Sequence, residues 1–313
     1  MGEDKDVIEV GGHTLRFTHP EKVMYPATGT TKRDVLEYYL AIAPLLLPQS
    51  AWRPATRKRW VDGVGTPADP GKVFFRKDLE RGAPEWLPTA EIAHRKRTNT
   101  YPLVNDAAVL AWFAQMAALE IHVPQWRFDE RGRRMNPDRL VIDLDPGPGV
   151  DLRGCAEVAL MVRDLLDTRG QETFPVTSGS KGIHLYVPLD GEITSDEASA
   201  LAHHLALQLE ENHPSRVVAI QKKTAREGRV LLDWSQNSPA KTTVCPYSLR
   251  GRTRPMVACP RTWEEIEDPG LEQLSYQEVL GRAAKGVDPM RKLGWYGAVA
   301  PTATAPDRAP KGN

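Results

Sequence analysis

Residues 139 to 145 read RLVIDLD, an apolar run carrying two acids and closed by the Pro146-Gly147 turn. Such a run predicts a buried strand, and a strand alternates its faces. Leu140, Ile142 and Leu144 then pack into the core, while Asp143 and Asp145 share the other face about 7 Å apart. Two carboxylates so placed can converge on metal ions. Aspartates at strand ends are common for simpler reasons, so D-x-D alone does not decide the matter. Its place at the end of a buried strand, where rigid scaffolds usually present ligand groups, favours a site.

A second acid, Asp233, sits in a similar apolar run, RVLLDWSQN. A buried carboxylate is costly unless it is paired or binds metal, so a structural salt bridge is the competing reading. Together the three acids would supply hard oxygen ligands suited to Mg²⁺ or Mn²⁺, as in-line phosphoryl transfer by two metals requires.

Strands are also predicted at 173–177, 183–189 and 229–235. The first two flank SGSKG, which reads as a Gly/Ser turn whose backbone N–H groups, Ser178 and Ser180 hydroxyls and Lys181 ammonium have the chemistry of a polyphosphate cradle. A plain hairpin connection is the alternative, and the Walker A spacing is absent. His184 follows on the next strand and could face the same site. Lys223 and Arg226 precede the Asp233 strand and Arg250 follows it, cations fitted to a triphosphate. Aromatics interleave with basic stretches at Trp60, in RKRW, and at Phe74 and Phe75, in VFFRKD, a mix that suits stacking on bases beside phosphate contacts.

Helical signals are interspersed among the strands, which points to an α+β fold. Thr31 caps a helix from Lys32 with Val35, Tyr38, Tyr39 and Ile42 on its buried side. A second helix follows Asp106 with Leu110, Phe113, Met116 and Leu119 as its core stripe, and a third fills 152–168 around Val158, Met161, Val162, Leu165 and Leu166. A capping box at Thr194 and Glu197 starts a fourth, with Leu201, Leu205 and Leu209 at helical spacing.

The chain has 313 residues, 41 basic and 41 acidic, with 41% hydrophobic residues, which excludes disorder or a fibre as the overall class. Although net charge is zero, basic residues cluster at 53–59, 95–97, 127–134 and 222–229. Three cysteines, Cys155, Cys245 and Cys259, allow no paired framework and lie at no metal-ligand spacing, which suits a reducing compartment; the cytoplasm, in association with the nucleoid, is expected. LAIAPLLLP is too short to span a bilayer and is interrupted by Pro44, and the acidic N-terminus is no signal peptide, so no membrane role is expected. Residues 1–12 and 301–313 read as flexible ends around a domain at 13–300, divided into one lobe at about 20–130 and a catalytic lobe at about 135–285.

Taken together, EKVMYPATGTTK, RPATRKRW, FFRKD, ALEIHVPQWRF, VIDLDPG, FPVTSGSKGIHLYVPL, LLDWSQNSPAKTT and PYSLRGR resemble the archaeo-eukaryotic primase superfamily. Within it they are most similar to the polymerase domain of bacterial ATP-dependent DNA ligase D, over residues 15 to 282. The resemblance implies a primase-polymerase fold of antiparallel sheets flanked by helices, and a DNA-directed nucleotidyltransferase acting in non-homologous end joining. It implies primer extension, gap filling and end addition, with Mn²⁺ or Mg²⁺, two ions, and a preference for ribonucleotides over deoxynucleotides. Asp143, Asp145 and Asp233 would be the catalytic, metal-binding acids. Ser178, Lys181, Lys223, Arg226, Gln236 and Arg250 would meet the triphosphate, with His122 and His184 close by. Lys22, Lys32 and Lys58 would hold a DNA 5′-phosphate, Phe74 and Phe75 would stack on the template, and His94 and Arg95 would belong to a loop that helps two ends meet. The family pattern has an asparagine near the nucleotide sugar three residues before Lys22, where this chain has His19.

DNA with 3′-overhangs, gaps or a 5′-phosphate is the implied partner, with Ku and ligase or phosphoesterase domains of the same system beside it. No K-x-D-G ligase nucleophile and no nuclease histidine cluster occurs in the sequence, so a stand-alone polymerase or the excised domain of a larger protein is expected. A non-catalytic end-bridging module and a de novo primase are the rival readings.

Overall fold

The computed structural model describes residues 5–296; the tail expected at 301–313 lies outside them. Its centre is a six-stranded sheet in the order Val217–Val218, Val230–Asp233, Arg139–Pro146, Ile183–Pro188, Phe174–Thr177, Cys259–Pro260. All neighbours are antiparallel except the first pair. Helices Leu152–Asp167 and Ser195–Asn212 cover one face, where Leu140, Ile142 and Leu144 pack with Val158, Val162, Leu205 and Leu209. The opposite face of the same strands buries Val141, Val176 and Tyr186 at one end and presents the acids at the other.

A second, four-stranded sheet runs Thr243–Val244, Ala118–Val123, Thr56–Arg59, Phe74–Arg76 and packs on helices Lys32–Ser50 and Ala107–Gln115. Thr243–Val244 comes from the segment expected in the catalytic lobe, and Cys245, Tyr247, Leu249 and Val279 fill the same core as Tyr38 and Phe113. The division expected at about 130 is therefore crossed: the chain returns to the first lobe after the Asp233 strand, and this return closes the cleft between the two sheets.

The helix starts lie where cap chemistry places them. Thr31 with Asp34 and Thr194 with Glu197 form reciprocal capping boxes, and Asp106 and Asp151 cap the other two. Helix Lys32–Ser50 continues through Pro44 and Pro48, because Val35, Tyr38, Tyr39, Ile42 and Leu46 anchor one face in the core strongly enough to offset two missing N–H donors.

Several expectations need correction. Residues 5–10, expected within a flexible end, form a strand paired with His13–Thr18. The helix after Asp106 stops at Gln115, so Leu119 lies on the next strand. Leu201 faces solvent at 39% exposure, on the edge of its helix's apolar stripe. Trp60 is buried and unavailable to a base.

In the cluster at 53–59 the three arginines are taken up within the protein rather than offered to solvent. Arg53 and Arg57 are buried; Arg53 pairs with Asp138 at 2.6 Å, and Arg57 and Arg59 pair with Glu80 at 3.2 and 2.9 Å. Asp138 also holds Arg127 at 3.1 Å. Burial lowers the Arg57 pKa to about 10, and the nearby carboxylate of Glu80 opposes the shift. Breaking such a pair from one side leaves a charge without a partner. Replacing Asp138 with Ala should thus cost about 3 kcal/mol of stability, read as a lowered melting temperature; an unchanged melting temperature would show that Arg53 finds compensation elsewhere.

Candidate active site

Register accounts for the geometry of the acids. In the antiparallel sheet Asp143 lies directly opposite Asp233 on one side and opposite His184 on the other. Residues directly opposite in antiparallel strands project to the same face, as do residues two apart on one strand. Asp143, Asp145, Asp233 and His184 therefore share a face, and one carboxylate oxygen from each of the three aspartates lies within 4.8 Å of the others. His184 Nε2 stands 3.3 Å from Asp143 Oδ1.

Asp233 distinguishes its two readings. Among the described residues it has no ion pair; neutral donors hold it instead. Its Oδ1 accepts from Gln221 Nε2 at 2.8 Å, the Ser235 hydroxyl at 2.6 Å and the Ser235 amide at 3.0 Å, and its Oδ2 accepts from Gln236 Nε2 at 3.0 Å. A structural salt bridge is thereby replaced by a carboxylate aimed at its two neighbours. Partial desolvation in the cleft, followed by the charge of Asp143, pushes the Asp145 carboxyl up to about 6, while His184 and Arg226 oppose the rise. All-oxygen donors of like charge at this spacing fit a hard divalent cation.

Asp143 and Asp145 line a cleft of about 410 Å³; Asp233, beside them, is not in the lining itself but accepts from Gln236, which is. His122, Asp143, Asp145, Ser178, Lys181, His184, Arg226, Gln236 and Arg250, all singled out from the sequence, line it. Lys223 does not: it is exposed on the short turn before Arg226. Arg226 donates to the Gln221 carbonyl at 2.6 Å, so Gln221 links a cleft cation to Asp233.

In SGSKG the expected cradle of backbone donors is largely consumed by the turn itself. Ser178 N–H bonds the Gly182 carbonyl, Ser180 and Gly182 N–H groups bond the Ser178 hydroxyl, and Gly179 N–H bonds Gln273. Gly179 has φ 65°, and a Cβ there would lie 2.7 Å from Arg250 Cγ, so only glycine allows this approach. The turn instead offers the exposed Lys181 side chain, and its Ser178 carbonyl accepts from Arg250 Nη1.

On the second sheet, Phe75 is 52% exposed and meets His122 edge to face at 6.5 Å, while Phe74 is half-buried between Lys72 and Arg76. The three lysines part company. Lys22 pairs with Asp62 at 2.9 Å. Lys32 is buried and donates to the Thr18 carbonyl and Gln115; burial, then the nearby charges of Lys22 and Arg59, lower its pKa to about 8. Lys58 points to Glu120 at 3.1 Å. His94 and Arg95 sit in the exposed turn of the hairpin Thr89–Ala93 and Thr98–Pro102, with His94 against the Tyr101 hydroxyl at 3.0 Å. His19 is exposed with φ 53°, a backbone region in which asparagine and histidine are both enriched.

Sequence reasoning missed Glu120, Gln221 and Arg252. Glu120 was detectable as an acid in an apolar strand, two residues from His122 and thus on its face, the same signal that marks Asp233.

Comparison with known proteins agrees with this architecture. The family model for the LigD primase-polymerase domain matches residues 31–290. The multifunctional non-homologous end joining protein LigD of Mycobacterium bovis is 54% identical over 284 residues, 89% of this chain and 37% of that protein. The corresponding protein of Mycolicibacterium smegmatis is 53% identical over 268 residues, covering 86% and 34%. This chain spans well under half the length of these relatives. A solved structure, the polymerase domain from Mycobacterium tuberculosis ligase D in complex with DNA, superposes with a TM-score of 0.85 at 53% identity, covering 89% of this chain and 97% of that one. Sequence and backbone agree over most of the chain, which therefore belongs to the LigD primase-polymerase domain family.

Proposed function

We propose that the chain is a template-directed nucleotidyltransferase that extends a DNA primer strand, fills gaps and adds nucleotides at ends during double-strand break repair by non-homologous end joining. The observation that carries this reading is the convergence of Asp143, Asp145 and Asp233 within 4.8 Å beside a cleft with cationic groups around it. Two divalent ions held by these acids, Mn²⁺ being the expected species, would lower the pKa of a primer 3′-hydroxyl and stabilise charge on departing pyrophosphate.

The chain's own groups divide the remaining work. Arg250, Arg226 and Lys181 bind the triphosphate of the incoming nucleotide, with ribonucleotides preferred, and their positive charge counts most as negative charge grows on the leaving group. Gln236, Gln221 and Ser235 fix the Asp233 carboxylate. His184 stands between Asp143 and the SGSKG turn, and the exposed ring of Phe75 suits stacking on a template base. Lys22, Lys32 and Lys58 are assigned to a 5′-phosphate across a gap, a role for which Lys58 must exchange Glu120 for phosphate. His94 and Arg95 are assigned to the contact between two DNA ends, in which Ku and ligase or phosphoesterase domains would take part.

A purely end-bridging module needs no acidic triad, which separates the rivals by experiment. In a labelled primer-template assay with Mn²⁺, Asp143→Ala should lose more than about a hundredfold in extension rate, the upper range for residues that merely support a metal site. DNA affinity should hold or rise, since a negative charge is removed. Extension by the variant near the wild-type rate would overturn the assignment of the acids. For the 5′-phosphate site, wild-type protein should bind a gapped duplex bearing a 5′-phosphate more tightly than one bearing a 5′-hydroxyl. In Lys58→Ala that preference should shrink, and the log–log salt slope should flatten by about 0.9. Equal affinity of wild-type protein for the two duplexes would reject the site, and an intact preference in the variant would reject the share given to Lys58.

A further inference from the structure

Glu120 is the one acid of the strand Ala118–Val123, and it is only 2% exposed. Four groups surround its carboxylate. Oε2 lies 2.8 Å from His122 Nε2 and 3.1 Å from Lys58 Nζ, and Oε1 lies 3.3 Å from Arg250 Nε and accepts from the Gly251 amide at 3.0 Å. The Gly251 amide cannot drift away, because the buried ring of Trp60 lies against the residue: a Cβ there would fall 2.1 Å from its Cη2. This is a role for Trp60 that its basic neighbours conceal in the sequence.

The consequence for Arg250 is geometric. Its guanidinium is ion-paired at Nε with Glu120 at 3.3 Å, without a hydrogen bond there, and donates from Nη1 to the Ser178 carbonyl of the SGSKG turn, while the residue lines the cleft. An unrestrained arginine carries about 2 kcal/mol of rotamer entropy, and holding it in advance removes much of that cost from ligand binding. His122 is fixed in the same way on its Nε2 side and also lines the cleft. A buried ion pair is by itself weak support for any role, since an apolar replacement often serves stability equally well. What distinguishes Glu120 is that Arg250 and His122 both face the nucleotide cleft, so its carboxylate acts on the cleft through them.

We propose that Glu120 is a positioning residue for the incoming nucleotide, holding Arg250 and His122 in the orientation in which they meet it and keeping Lys58 beside them. The proposal rests on the reading of Arg250 as a triphosphate contact. It makes a prediction opposite in sign to simple electrostatics. A carboxylate this close to a polyphosphate site repels the ligand, so its removal alone would tighten nucleotide binding; loss of positioning loosens it.

The test is steady-state primer extension with Mn²⁺ at varied nucleotide concentration, with thermal melting as a check on folding. Glu120→Gln, which keeps size but not charge, should raise the KM for nucleotide by about tenfold, the scale typical of groups that orient a site's ligands from behind. In an Arg250→Ala background the same change should add little, because residues acting as one unit are not additive. A lowered or unchanged KM in folded Glu120→Gln, or a full additional increase on top of Arg250→Ala, would overturn the proposal. If the Gln variant fails to fold, Glu120→Asp carries the test: it keeps the charge but withdraws it by one methylene, so KM should again rise, and an unaltered KM overturns the proposal. Wild-type protein that extends no primer would reject the polymerase reading itself, whereas extension with unaltered KM in the variant rejects only the positioning role.

Discussion

Mutual repulsion among Asp143, Asp145 and Asp233 is the interaction around which the rest of the molecule is arranged. Two carboxylates about 5 Å apart near a protein surface repel by on the order of 3 kcal/mol, and here there are three such pairs. The sheet resists this by register: Asp143 cannot move from Asp233 without breaking the ladder between Arg139–Pro146 and Val230–Asp233, and that ladder lies over a core sealed by two helices. Neutral donors from Gln221, Ser235 and Gln236 hold the third carboxylate without cancelling its charge. The negative charge is thus conserved for a ligand; burial first, and then the charges of Asp143 and Asp233, raise the pKa of the Asp145 carboxyl.

Positive charge is handled in the opposite way on the second sheet. Arg53 and Arg57 are buried and neutralised by Asp138 and Glu80, and Lys58 and Arg250 share Glu120. Lys181 and Arg226, which line the cleft, are in no ion pair among the described residues, and Arg226 bonds the neutral Gln221 instead. The two sheets meet because Thr243–Val244 returns to pair with Ala118–Val123, so the segment that follows Asp233 also brings Arg250 to the cleft that Asp143 and Asp145 line.

How much of this was legible in the sequence depended on the range of the physics involved. Local chemistry was: the capping boxes at Thr31 and Thr194, the shared face of Asp143 and Asp145, and the two strands around SGSKG all follow from spacing alone. What required tertiary partners was not. Charge in RPATRKRW suggested a basic surface, yet partners 21 to 85 residues away in Glu80 and Asp138 take up all three of its arginines, and Trp60 lies under Gly251. The turn's amides looked free because the acceptors that occupy them, the Ser178 hydroxyl and Gln273, cannot be paired from sequence. Asp145 and Asp233 lie on strands far apart in the chain, and only register joins them.

The central claim, that the fold holds three mutually repelling carboxylates for a divalent cation, is tested most directly by melting temperature with and without Mn²⁺ at pH 7.5. At that pH Asp145, with its pKa near 6, is ionised, so repulsion is fully present in the metal-free protein. A ligand that binds only the folded state raises the melting temperature. Wild-type protein should gain stability on adding Mn²⁺, whereas Asp145→Asn should start above wild type without metal and gain much less. A wild-type melting temperature that Mn²⁺ does not move, or an Asn variant no more stable than wild type in the absence of metal, would contradict the account.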